Sequence, residues 1–183
     1  IREGTYQLEP TAGAGSIETT LTAIHRMSGS GGHLAVVFHF VGVPGLDAST
    51  APDHENFQIA VNEMDAILSG AGIVIDDITY EDVTSSVDEL TIIGSDSGPS
   101  SELGRLLAMS GSGMERRLHL FVVQGIDYGG LEVVGQAGSA PGPAVIQGTS
   151  HSGIAISAID LDSDPTITGL ATAHEIGHYL GLY

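Results

Sequence analysis

Apolar residues along this chain fall into unbroken runs and helical repeats, and the two patterns alternate. "HLAVVFHFVGV" (33–43) is a near-continuous apolar, β-branched run, the pattern of a strand buried on both faces. In "TAPDHENFQIAVNEMDAILSGAG" (50–72), Phe57, Ala60, Val61, Met64, Ile67 and Leu68 recur at helical spacing. The spacing predicts a helix over 54–69, with Pro52 near its start and Gly70 or Gly72 stopping it. "IVIDDITYEDV" (73–83) reads as a second strand that "ELTIIGS" (89–95) continues or repeats. "SSELGRLLAMSG" (100–111) reads as a short helix and "RLHLFVVQGI" (117–126) as another buried strand.

Residues 127–150 are mostly Gly, Pro and small side chains, a long loop in which "VVGQAG" (133–138) forms an exposed edge strand. "SGIAISAI" (152–159) is the last strand. "DPTITGLATAHEIGHYLGL" (164–182) is the final helix, with Asp164 as N-cap, Pro165 at the first helical position and Gly181 as terminator. Strands alternating with helices imply a layered α/β fold with crossover connections and a mostly parallel sheet. Residues 1–33, Gly-, Ser- and Thr-rich with a strand-like "IETTLTAIHRM", read as an N-terminal extension or the end of a preceding domain.

Composition narrows the partners. Five Lys+Arg against 23 Asp+Glu give a net charge of −18, which repels nucleic acid and anionic membranes. There is no cysteine, so a transition metal would have to be held by His, Asp or Glu. No apolar run is long enough to span a bilayer. The chain opens at Ile1 without a basic-then-apolar leader, compatible with a removed signal segment or an upstream domain.

The strongest chemical signal is "HEIGHYLG" near the end of the last predicted helix. Four residues are about 400° of helical rotation, so His174 and His178 leave one face a turn apart, with Cβ atoms about 5–6 Å from each other. That separation suits two nitrogens on one zinc ion. Glu175, one step round, reaches a metal-bound water without ligating the metal and is the candidate general base. At this chain's residue frequencies H-E-x-x-H is expected by chance about 0.02 times, and about 0.003 times with Gly181 required as well. If the helix ran on, the residue after Tyr183 would stand about 15 Å along the axis from His174. A left-handed glycine instead turns the chain back under the site.

These residues resemble the metzincin signature H-E-x-x-H-x-x-G-x-x-H, whose third histidine would follow Tyr183. The order of elements from about His33 onward is similar to the N-terminal subdomain of a metzincin catalytic domain. Within that clan "GHYLGLY" is most similar to the pappalysin-type and matrixin-type branches. The resemblance implies a zincin-like domain over 34–183 with its C-terminal subdomain missing. It implies a twisted, mostly parallel sheet of about five strands with an antiparallel edge strand, a backing helix and an active-site helix. It also implies His174 and His178 as zinc ligands, Glu175 as base, and a secreted metalloendopeptidase acting on protein or peptide bound in extended form. With the third ligand and the methionine turn absent, the site as it stands is expected to bind zinc weakly. The competing readings are an inactive zincin-like binding module and a zinc hydrolase of another lineage with a distant carboxylate ligand.

Other candidates carry less. His151, in the loop before the last strand, is a stand-in third ligand. "DLDSD", with Asp160, Asp162 and Asp164, has the alternating carboxylates of a calcium loop, but Pro165 and Ala171 stand where such a loop needs Gly and Glu. "QAGSAPGPAVIQG" (136–148) is either a substrate-lining segment or a plain loop. His33, His39 and His119 read as packed and hydrogen-bonded, and His25 and His54 as exposed and unpartnered.

Overall fold

The computed structural model describes residues 32–83, 89–92, 98–111, 116–143 and 146–182. The expected N-terminal extension, His25 included, lies almost wholly outside these residues; only Gly32 and His33 are described, and they belong to the first strand. In chain order the elements are β1 (Gly32–Val41), α1 (Glu55–Gly70), β2 (Ile73–Asp82), β3 (Glu89–Ile92), α2 (Glu102–Leu107), β4 (Arg117–Val123), β5 (Gly125–Tyr128), β6 (Gly135–Ala137), β7 (Ile154–Ser157) and α3 (Pro165–Tyr179). A single turn of 3₁₀ helix, Ala51–Asp53, precedes α1.

Five strands form one sheet in the order β2-β1-β4-β7-β6. Every pairing is parallel except β6 against β7. This is the expected α/β architecture, antiparallel edge included. The apolar runs sit where both faces are covered. On one face Phe38, Phe40, Leu120, Val122 and Ile156 pack against Phe57, Met64 and Leu68 of α1 and Ala173, Ile176 and Tyr179 of α3. Phe57 sets its ring edge-on to Phe38, with centroids 5.1 Å apart, which locks α1 to the sheet. On the other face Val41, Phe121, Val123 and Ala155 meet Leu103, Leu106 and Leu107 of α2. β2 is an edge strand, and its Asp76, Asp77, Glu81 and Asp82 keep that edge charged.

Three details differ from expectation. β3 does not continue β2; it pairs in parallel with β5 in a separate two-stranded sheet. The run 117–126 is accordingly two strands, divided at Gln124, whose side-chain amide donates to the Gly42 carbonyl at 2.8 Å. His54 is half-buried and caps α1, its Nδ1 accepting the Phe57 N–H at 3.3 Å. Gly72, with φ of 77°, takes the chain out of α1 into β2. Among the described residues no helix is long and apolar enough to cross a membrane.

Candidate metal centre

α3 begins with Pro165, which needs no N–H partner there. Asp164 stands at the N-cap position, but with ψ of 81° its side chain makes no capping bond, contrary to expectation. The helix lies close against α1 because Gly169 has no side chain: a Cβ there would sit 2.5 Å from the Ala60 carbonyl oxygen and 2.7 Å from Glu63 Cβ. At the far end Leu182 N–H donates to the Gly177 carbonyl at 2.8 Å, and Gly181 N–H to that of His178 at 2.9 Å. With Gly181 at φ of 78° this is the paired-bond terminator that a left-handed glycine permits. Gly142 N–H donates to the Tyr179 carbonyl at 2.8 Å, tying the 139–143 loop to the same helix end. Burial pushes the Tyr179 phenol above its ordinary pKa.

The last turns of α3 bring His174, Glu175 and His178 together. The two imidazole centroids are 4.4 Å apart with planes at 83°. One donor atom from each of the three residues lies within 4.8 Å of the others, a group that could hold a metal ion. Two nitrogens on one tetrahedral zinc stand about 3.3 Å apart, given bonds of about 2.0–2.1 Å, a distance that side-chain rotation can close. His174 is exposed, and Glu175 and His178 are half-buried, so the rings are open to an ion from solvent rather than sunk in hydrocarbon.

Glu175 also touches the sheet edge. Its Oε2 accepts the Ala137 N–H at 2.7 Å. The β6–β7 register explains why that N–H is available. Val134 and Gly138 bond to β7, through Ser157 N–H to the Val134 carbonyl at 2.8 Å and Gly138 N–H to the Gly153 carbonyl at 3.0 Å. By alternation, Gly135 and Ala137 turn their backbone groups away from β7. Sequence reasoning missed this contact, and the chain carries no signal for it, because a backbone donor has no residue identity. Nor is β6 the exposed strand expected: Ala137 is buried, and Gly135 and Gln136 are half-buried.

No family model and no curated protein matches the chain.

The remaining candidates are placed elsewhere. His151 lies outside the metal-competent group, and its Nδ1 is 3.0 Å from the Gly138 carbonyl. The carboxylates of Asp160, Asp162 and Asp164 form no such group among the described residues. Instead the Asp160 carbonyl accepts the Asp164 N–H at 2.7 Å, and Asp162 accepts from Asn56 of α1 at 3.4 Å. His39 and His119 are buried together, Nε2 of one 2.7 Å from Nδ1 of the other. Burial first, and the neighbouring His119 second, hold the His39 pKa down to about 4. His33, expected to be packed, is exposed and bonds Asp76 at 2.8 Å.

Proposed function

We propose that the protein is a zinc-dependent endopeptidase of the metzincin kind, with His174 and His178 as ligands and Glu175 as general base. The observation that carries this is the joint placement of two imidazoles and a carboxylate on one helical turn beside an outward-turned sheet edge. His174 and His178 would hold a zinc ion, which would supply Lewis acidity to a water and to a peptide carbonyl. Glu175 takes the water's proton at a carboxylate oxygen as the water oxygen bonds to the peptide carbonyl carbon, and delivers it to the leaving amine as the C–N bond breaks. The outward-turned backbone of Gly135 offers an extended peptide a place to pair, the Ala137 carbonyl being taken by the Gln136 side-chain amide at 3.0 Å. The net charge of −18 favours a cation at the site and disfavours nucleic acid as a partner. Secretion follows from the same resemblance.

The test is casein cleavage by zinc-loaded protein carried through the histidine that the resemblance expects after Tyr183. Glu175→Ala is expected to bind zinc as wild type does and to lower kcat about 10²–10⁴-fold. Equal cleavage by the two proteins, or none by wild type, overturns the reading.

A further inference from the structure

A glutamate with three side-chain torsions, next to two metal-binding imidazoles, has two ways to serve them. Its carboxylate can swing in as a ligand, or it can stay back and act on water. One of its oxygens already lies within 4.8 Å of both imidazole nitrogens, so distance alone does not decide between the roles. The edge strand supplies what does. Ala137 N–H points away from the β6–β7 ladder and donates to Glu175 Oε2 at 2.7 Å. Two residues earlier, Gly135 presents a bare α-carbon, and a Cβ there would meet Glu175 Cγ at 2.7 Å and Ile156 Cδ1 at 3.2 Å. The first contact holds the carboxylate by one oxygen, and the second leaves the slot through which its methylenes pass. Charge-assisted bonds of this kind are short and directional, so that oxygen is held in place.

We infer that Gly135 and Ala137 are positioning residues for Glu175, withholding Oε2 from the metal and leaving Oε1 to face water. The inference rests on the proposed role of Glu175 as base. It has a structural consequence that needs neither metal nor substrate. Ala137 N–H has no ladder partner, so its protection from exchange depends on the Glu175 side chain.

Amide hydrogen exchange on the metal-free protein, followed by NMR, reads this directly. Glu175→Ala is expected to speed exchange at Ala137 about tenfold or more, with Gly138, bonded to Gly153, unchanged as the internal control. Glu175→Gln keeps an acceptor oxygen and is expected to retain most of the protection while losing cleavage. Gly135→Ala is expected to speed Ala137 exchange and to lower kcat about tenfold or more with zinc affinity unchanged. Equal Ala137 exchange in wild type and Glu175→Ala overturns the positioning role, whatever the enzyme does. Full casein cleavage by Glu175→Ala instead overturns the assignment of the base and leaves the exchange result standing as a structural contact.

Discussion

The two glycines of α3 should respond to the same substitution with opposite sign. Gly→Ala inside a helix gains about 0.5–1 kcal/mol, from propensity and from reduced freedom of the unfolded chain. At Gly177 that gain stands nearly alone, since the nearest atom to an added Cβ is Leu182 Cβ at 4.0 Å. At Gly169 the added methyl would lie 2.5 Å from the Ala60 carbonyl oxygen, a backbone atom of α1 that cannot rotate away. Overpacking of this kind costs about 1–3 kcal/mol, so the net effect is a loss of about 1–2 kcal/mol. The two variants should therefore differ by about 2 kcal/mol, or about 4–8 °C in Tm for a chain of this size. Urea denaturation followed by circular dichroism measures both. If Gly169→Ala is as stable as wild type, α3 does not approach α1 as described, and the placement of the metal-site helix is wrong.

Acidification should weaken the fold through His39. Its folded pKa of about 4 lies below the ordinary 6.5, so the unfolded chain binds the proton more readily. Stability is full above pH 6.5 and falls as pH drops toward 4, by at most about 3 kcal/mol; urea midpoints that stay flat across that window would refute this, and His39→Gln should reduce the slope. Gly181→Ala should cost about 1–2 kcal/mol, because φ of 78° is left-handed and an added Cβ would press on Pro141 Cβ at 3.3 Å; an unchanged melting curve would count against the terminator. Zinc at about 100 times its Kd should stabilise the fold by about 2.7 kcal/mol, and His178→Ala should abolish most of that shift in a calorimetric scan.

The fold was legible where the pattern is long and regular. The runs 33–43 and 117–123 are apolar on both faces because helices cover both faces, and the α1 stripe from Phe57 to Leu68 faces the sheet. His174, His178 and Gly181 were legible because helix geometry alone fixes their relations. What escaped depends on partners distant in sequence. Nothing in "ELTIIGS" says that it pairs with Gly125–Tyr128 rather than with β2. His39 and His119 are packed and hydrogen-bonded as expected, though nothing in the sequence pairs them with each other, whereas His54 is missed for a local reason, as a histidine in a capping position. The grip of Ala137 on Glu175 involves a main-chain N–H that any residue but proline would supply. Asp164 shows the reverse, a residue type suited to capping that stands at the N-cap position and makes no side-chain capping bond.

The central claim is that His174 and His178 hold one zinc ion between them. X-ray absorption at the zinc edge of the stoichiometrically loaded protein counts imidazoles directly. The account predicts at least two histidine nitrogens at about 2.0–2.1 Å, with one fewer in His178→Ala and one fewer in His174→Ala. A spectrum fitted by oxygen ligands alone, or left unchanged by both substitutions, would contradict it.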